Sequence, residues 1–112
     1  MQRRYRLRDN EQFRRVREDG RSWSHHLLVL CALPNDLEHS RFGFSVSKRV
    51  GKAVVRNKVK RLLREATRAR QSLVVPGHDL VFIARNPIGG ADYREVDQAV
   101  EQLLARAGLL LA

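Results

Sequence analysis

Residues 53 to about 70 predict a long helix with two opposite faces. With about 100° between successive residues, five apolar side chains share one arc: Val55, Val59, Leu62, Leu63 and Ala66. The opposite arc holds Asn57, Lys60, Arg61, Arg64 and Arg68, and Arg56 lies beside the boundary. Such a helix packs its apolar stripe on a sheet and presents four cations and one amide outward.

The positive charge of the chain is concentrated around this helix. The 112 residues include 22 Lys and Arg against 12 Asp and Glu, a formal net charge of +10. Residues 41–70 hold 11 of the basic groups and one acid, Glu65, while the flanking segments cancel each other. A surplus for solubility would be spread out, so this concentration favours a surface for a polyanion, nucleic acid first and an anionic membrane second. The plainer interpretation is a solvated helix face.

Length and cysteine content limit the architecture and the compartment. A chain of 112 residues, 43% of them apolar, supports one domain (residues 1–112) with a single core. The single cysteine, Cys31, excludes an internal disulfide and a thiolate-rich zinc site. No apolar run approaches the roughly 20 residues that cross a bilayer, and the basic N-terminus leads into no apolar signal segment. We expect a reduced, soluble, cytoplasmic domain with no membrane partner.

Shorter patterns before and after the basic helix predict a further helix and two strands. Asp9 or Asn10 caps a short first helix, and Gly20 suits its end. The apolar run from Leu27 to Leu33 predicts a buried strand. The run from Leu80 to Ala84 is apolar at every position, which predicts a strand covered on both faces.

A last helix follows a capping-box-like start. Asp92 and Glu95 have the spacing of that motif, helically spaced apolar residues follow, and Gly108 suits the end. The order is therefore helix, strands, basic helix, strand, helix. This order predicts an α+β fold with helices packed on a sheet.

The segment from Arg41 to Ser47 alternates as a strand does. Its apolar and small polar positions form two sets: Phe42, Phe44 and Val46, and Gly43, Ser45 and Ser47. The apolar set would face the core, and the small set would let a ligand approach the backbone closely. A merely solvated sheet face is the simpler alternative.

Three residues have side chains suited to nucleic acid. Phe13 and Arg17 lie one helical turn apart, and both an aromatic ring and a guanidinium stack on unpaired bases. Asn57 adds no charge to the basic face but can hold a phosphate or a 2′-hydroxyl. Core packing is the alternative for Phe13, and a local cap or turn is the alternative for Asn57.

Motifs for catalysis by the chain itself are incomplete. Gly51 and Lys52 end like a phosphate-binding loop, but Ala53 stands where Ser or Thr would hold magnesium. Adjacent His25 and His26 would point to opposite faces of a strand and do not readily chelate one metal. We therefore expect no catalytic residue and no metal ligand on this chain.

The run from Phe42 to Glu65 resembles the signature of the bacterial ribonuclease P protein component, and the segments Arg6 to Phe13 and Phe82 to Pro87 support the resemblance. The resemblance implies an α/β sandwich with a left-handed βαβ crossover, against the usual right-handed rule. It implies a small protein bound to a large catalytic RNA, which removes the 5′ leader of precursor tRNA by hydrolysis. Magnesium is expected with that RNA and no cofactor on the protein. No obligate protein partner is inferred.

The resemblance also implies roles for individual residues. Contact with the RNA subunit falls to Lys48, Arg49, Lys52, Arg56, Asn57, Lys60, Arg61, Arg64 and Arg68. A central cleft for the single-stranded leader would include Phe13, Arg17, Cys31, Ser45, Ser47 and Arg85. Three positions depart from the family pattern: Lys58 replaces an arginine, Arg17 an aromatic residue and Cys31 a tyrosine. The alternatives are a non-catalytic RNA-binding structural protein, such as a ribosomal protein or RNA chaperone, and a protein-only nuclease.

Overall fold

A four-stranded sheet separates two layers of helices in the computed structural model, which describes residues 2–111. The strands are β1 (Arg21–Ser24), β2 (Leu28–Pro34), β3 (Arg41–Ser45) and β4 (His78–Ala84), in the spatial order β1-β2-β4-β3. The helices are α1 (Asn10–Asp19), α2 (Ala53–Arg70) and α3 (Tyr93–Arg106). Short 3₁₀ turns lie at Arg3–Tyr5, Lys48–Val50, Gln71–Leu73 and Asn86–Gly90. The predicted α+β class is confirmed.

Strand β4 lies inside the sheet and is covered on both faces, as predicted. It pairs antiparallel with β2 and parallel with β3, and α2 makes the connection between β3 and β4. Leu80, Val81 and Phe82 are each 0% exposed. The N-terminal segment borders the outer edge of β3, where the Leu7 N–H donates to the Phe42 carbonyl at 2.8 Å. Within residues 2–111, no helix is both long and apolar enough to cross a membrane.

The two faces of the sheet are covered unequally. Side chains such as Leu30, Phe42 and Phe82 belong to the larger core, to which α2 and α3 contribute their apolar stripes. The other face carries α1 and a smaller apolar cluster, whose buried members among the described residues are Leu7, Val16, Cys31 and Val81. Because one short helix covers this second face, part of it stays open, and the candidate site lies there.

Helix α1 begins and ends at residues that the sequence indicates. Of the two predicted caps, Asp9 is the one used, and its Oδ1 accepts from the Gln12 N–H at 2.8 Å. Gly20 ends the helix with φ −81° and ψ 171°, outside the left-handed conformation. A Cβ at Gly20 would lie 2.5 Å from the Val16 carbonyl oxygen and 2.6 Å from that of Ala32. The glycine therefore allows the end of α1 to approach β2 closely.

Helix α2 has the predicted bounds and burial pattern. Val59, Leu62, Leu63 and Ala66 are buried, Val55 is half-buried, and the sheet and α3 receive this stripe. Because the apolar stripe packs against the sheet and α3, the opposite arc of the helix faces solvent.

The last residue of α2 is tied to α3. The Arg70 guanidinium donates to both oxygens of Asp97 and to Glu101, the last at 2.9 Å. The hydrogen bonds from Arg70 to Asp97 hold the pKa of the Asp97 carboxyl below its ordinary value. Arg70 is thus used within the protein, unlike the arginines on the exposed arc.

Helix α3 confirms the predicted capping box. The Glu95 N–H donates to Asp92 Oδ1 at 2.9 Å, and the Asp92 N–H donates to Glu95 Oε1 at 3.1 Å. The helix ends at Arg106, and Gly108 follows with φ 72°, a conformation in which a side chain is strained.

Two strand predictions need correction, and one strand was missed. β3 ends at Ser45, so Val46 and Ser47 lie outside the sheet. β2 begins one residue later and ends one residue later than predicted, at Leu28–Pro34. β1 was not predicted, because a four-residue edge strand with Trp23 as its single apolar side chain shows too little alternation.

Candidate RNA interface

A cleft of about 720 Å³ opens between α1, the end of β3 and the N-terminal segment, on the thinly covered face of the sheet. Its lining residues are Arg6, Leu7, Arg8, Asn10, Phe13, Arg14, Arg17, Phe44, Ser45, Val46 and Lys60. Five of these are cations and none is an acid. A concave site lined by one sign of charge concentrates ligands of the opposite sign, so the cleft favours a polyanion.

Phe13 serves both the core and the cleft. Its half-exposed ring lines the cleft and also covers Gly43, where a Cβ would lie 2.6 Å from the ring atom Cζ. The prediction that Gly43 exposes the backbone to a ligand is therefore wrong, since the aromatic ring occupies that space. Ser45, two residues further along β3, does line the cleft. Because Gly43 has no side chain, the Phe13 ring can pack against the sheet at this position.

Arg17 lines the cleft together with Phe13, as their spacing predicts. Cys31 does not line it: this residue is 5% exposed and packs in the small cluster beneath α1. Burial raises the pKa of the Cys31 thiol, and the positive charge of Arg17 opposes part of that increase. The prediction that Cys31 belongs to the ligand-contacting surface is corrected, because α1 lies over its position.

Two further predicted cleft residues lie outside the cavity. Ser47 is exposed beyond the end of β3 and is not among the lining residues. Arg85 follows β4, where its Nη1 donates to the His25 carbonyl at 3.0 Å. It holds the loop between β1 and β2 and does not line the cleft.

The exposed face of α2 brings three predicted arginines together. Arg61, Arg64 and Arg68 line a groove of about 140 Å³, with Glu65 at its side. Ion pairs within residues 2–111 involve the guanidinium groups of Arg14, Arg41 and Arg70 and leave the three groove arginines without a carboxylate partner. The groove therefore offers free guanidinium groups to a ligand.

Asn57 and Lys58 are exposed on the same helix, near its beginning. In the part of the chain that the structure describes, the Asn57 side chain makes no hydrogen bond, so its alternative interpretation as a local cap is wrong. Lys48, Arg49 and Lys52 are exposed in the segment that leads into α2. These residues extend the positive surface beyond the first turn of the helix.

Lys60 and Arg56 lie on the flank of α2. Lys60 is half-buried and lines the cleft, although the sequence pattern places it on the outward arc. Arg56 is half-buried as well, and its Nε is buried without a hydrogen-bond partner among residues 2–111. Lys60 lies one helical turn from Arg64, so the arginine face of α2 and the cleft are neighbours on this helix.

Sequence reasoning missed several cleft cations. Arg6, Arg8 and Arg14 line the cleft. The acids of the first 40 residues offset most of the positive charge of that segment, so its net charge does not indicate a binding surface. Glu11, one of these acids, pairs with Arg14 at 2.6 Å and does not line the cleft. The arginine run near the N-terminus was the available signal.

Comparison with known proteins agrees with this geometry. The family model described as Ribonuclease P matches residues 1–108. The ribonuclease P protein component of Roseiflexus castenholzii is 48% identical over 111 residues, covering 98% of this chain and 91% of that protein. The one from Clostridium kluyveri is 46% identical over 107 residues, covering 94% and 96%.

Solved structures give the same result. The Staphylococcus aureus RNase P protein superposes with a TM-score of 0.88 at 33% identity, covering 95% of this chain and 97% of that one. The Thermotoga maritima RNase P protein, in complex with 1-(4-fluorophenyl)-2-thiourea, has a TM-score of 0.84 at 32% identity, covering 90% and 98%. With a family model over nearly its whole length and relatives close to half identical, the chain belongs to the family of ribonuclease P protein components.

Proposed function

We propose that the chain is the RNA-binding subunit that assists the catalytic RNA of ribonuclease P in removing the 5′ leader from precursor tRNA. One observation carries the proposal: Lys60 lines the cleft and lies one helical turn from Arg64, which lines the groove, so the two cationic surfaces meet on α2. Such a surface can hold two segments of RNA at once. We expect the structured catalytic RNA on α2 and the unpaired leader in the cleft.

The cleft has the features of a site for single-stranded nucleic acid. Proteins that bind unpaired strands combine a cationic groove for the backbone with an aromatic ring for a base. Here the cations are Arg6, Arg8, Arg14, Arg17 and Lys60, and the aromatic ring is that of Phe13. The Ser45 hydroxyl adds a hydrogen-bonding group at the end of β3.

The face of α2 suits a phosphate backbone. Its 18 residues correspond to a length of about 27 Å, enough to follow several consecutive phosphates. Arginine binds phosphate through two parallel N–H donors, and Asn57 can accept from or donate to a 2′-hydroxyl. Lys58, where the family pattern has arginine, keeps the charge but loses this two-donor geometry.

Electrostatics is the expected contribution to cleavage. The bond-breaking chemistry would be supplied by magnesium ions on the RNA, with no cofactor on this chain. Cations on α2 and in the cleft reduce repulsion between the phosphates of the two RNAs, which lowers the magnesium concentration that assembly requires. We place this function in the cytoplasm, in keeping with a chain whose single cysteine is a free thiol.

The decisive experiment adds the purified chain to the catalytic RNA and precursor tRNA at low magnesium. Stimulated removal of the leader supports the proposal. Binding to RNA without stimulation would support the alternative of a structural RNA-binding protein, and cleavage in the absence of RNA subunit would support a protein-only nuclease.

Replacing Gly43 by alanine should selectively weaken leader binding. The new Cβ would lie 2.6 Å from Phe13 Cζ, so the ring must leave its seat on the sheet. Stacking contributes about 1–3 kcal/mol per base, so the affinity of the holoenzyme for leader-bearing precursor should fall by roughly 5-fold to 150-fold. The measurement compares precursor with mature tRNA, whose affinity should not change.

Gly90→Ala is the matched control for that experiment, because a Cβ at Gly90 meets nothing within 4 Å. Equal loss of affinity for precursor and mature tRNA in the Gly43→Ala protein would contradict the assignment of Phe13 to the leader.

Replacing Arg17 by phenylalanine should retain or strengthen leader binding and reduce its dependence on salt. Arg17 is exposed in the cleft and forms no ion pair within residues 2–111, so its contribution is that of a free cation. Loss of one phosphate contact to a single strand should lower the slope of log affinity against log salt by about 0.7. A titration with unchanged slope would exclude this role.

A further inference from the structure

A second hollow, of about 550 Å³, lies beside the C-terminal end of α2. The N-terminal segment, the loop between β2 and β3, and the turn after α2 form its walls. It shares Arg68 with the groove on α2, and it shares no lining residue with the cleft. The hollow is thus separate from the leader site and continuous with the arginine face.

Three side chains in this hollow contact one another in series. The Tyr5 and His39 rings meet edge to face, with centroids 5.5 Å apart and planes at 89°. The Arg4 guanidinium lies 4.7 Å from the centroid of the Tyr5 ring. His39 Nε2 lies 3.0 Å from the Arg4 carbonyl oxygen, so the histidine fixes both neighbours. The result is a preformed cluster whose exposed member is a guanidinium.

Charge in the hollow is available to a ligand. Neither Arg4 nor Arg68 pairs with a carboxylate within the described residues. Among residues 2–111, one acid lines the wall, Glu38, which is exposed and forms no ion pair with them. Gln71 and Ser72 add polar side chains at the turn after α2.

We propose that this hollow binds one unpaired nucleotide of an RNA strand that follows α2. Arg68 would hold the phosphate, the stack of Arg4 on Tyr5 would receive the base, and Gln71 would reach the base edge. Unpaired nucleotides are recognised by these three kinds of contact: a cation, a stacking plane and an edge donor or acceptor. The inference rests on the RNA-binding function proposed above and extends the RNA surface beyond α2.

The strand would belong either to the catalytic RNA or to precursor tRNA, and affinity measurements with each RNA separate the two. We expect Arg4→Gln to weaken binding of the RNA that contains this strand roughly 2- to 5-fold, the range for one exposed charge contact. Glu38→Gln should have the opposite effect and tighten binding by about 2-fold, because it removes repulsion of the phosphate. A gain in affinity cannot result from misfolding.

Arg94→Gln provides the matched control, since Arg94 is an exposed arginine on α3 that lines neither the hollow nor the groove nor the cleft. It should leave both affinities unchanged. If Arg4→Gln and Glu38→Gln also leave both unchanged, the proposed nucleotide site is excluded.

Crosslinking supplies an independent measurement. A short photoactivatable group on the Ser72→Cys protein, in the holoenzyme with precursor tRNA, should mark one short run of nucleotides and show which RNA contains it. The Gln102→Cys protein, labelled on the exposed face of α3, is the control. The unsubstituted protein, treated with the same reagent, shows whether buried Cys31 becomes labelled. Equal crosslinking from positions 72 and 102 would overturn the proposal.

The two proposals can fail separately. Loss of RNA affinity on changing the α2 groove, with no effect of the hollow variants, would retain RNA binding and reject the nucleotide site. No effect of either set would reject RNA binding by this surface altogether.

Discussion

Replacing Arg61 and Arg64 together by alanine should weaken binding of the catalytic RNA on the order of 100-fold at low salt, with no loss of folded structure. Both side chains line the groove on α2 and have no carboxylate partner within residues 2–111. A hydrogen bond to a charged group contributes about 1.5–3 kcal/mol, so two lost contacts, each at the lower end of that range, correspond to a factor of this size. The slope of log affinity against log salt should also fall, by about 1.5.

The fold should tolerate this double substitution because the two residues lie opposite the buried stripe of α2. Alanine also has a higher helix propensity than arginine. The circular dichroism spectrum and melting temperature should therefore match those of the parent. The double variant Arg15→Ala with Arg94→Ala removes the same charge from exposed positions outside the cleft, the groove and the hollow. It should leave affinity for the catalytic RNA nearly unchanged. A loss of folded signal in the Arg61 and Arg64 variant would mean that the face is wrongly assigned.

Helix α2 could be predicted in detail because its pattern is local. The positions of Val59, Leu62 and Leu63 on one arc determine where the arginines lie, whatever packs against the helix. Bounds and exposed face follow from 18 consecutive residues. Lys60 is the exception, since its arc position is at the edge, and only the neighbouring α1 and β3 turn that edge into part of the cleft.

The cleft could be predicted only in part because it depends on strand register. Alternation of side chains along β2 places Cys31 on the side of the sheet that faces α1. Whether α1 covers Cys31 depends on the row of residues, paired across neighbouring strands, to which Cys31 belongs. Cys31 lies opposite Val81, which lies opposite Gly43, and α1 covers this row. Ser45 belongs to another row and remains accessible. Pairing between residues some 50 positions apart sets these rows, and a single sequence does not reveal it.

Replacing Gly20 by alanine should lower the free energy of unfolding by about 3 kcal/mol, at the upper end of the range for overpacking. The added Cβ would lie 2.5 Å from the Val16 carbonyl oxygen and 2.6 Å from that of Ala32. Both atoms belong to the backbone, one at the end of α1 and one in β2, so no side-chain rotation relieves the contact. The melting temperature should fall by on the order of 10 °C. Gly90→Ala, with open space around the new Cβ, should leave it unchanged.

The same substitution should also affect leader binding in the cleft and catalytic-RNA binding on α2 to different extents. To relieve the clash, α1 must move away from β2, and it carries Phe13 and Arg17 out of their positions in the cleft. The groove on α2 lies on the other side of the sheet and is built without α1. At a temperature where the Gly20→Ala protein remains folded, affinity for leader-bearing precursor should therefore fall more than affinity for the catalytic RNA. Parallel loss of both affinities would show that the two surfaces depend on each other, and a variant as stable as the parent would show that α1 does not require this close approach.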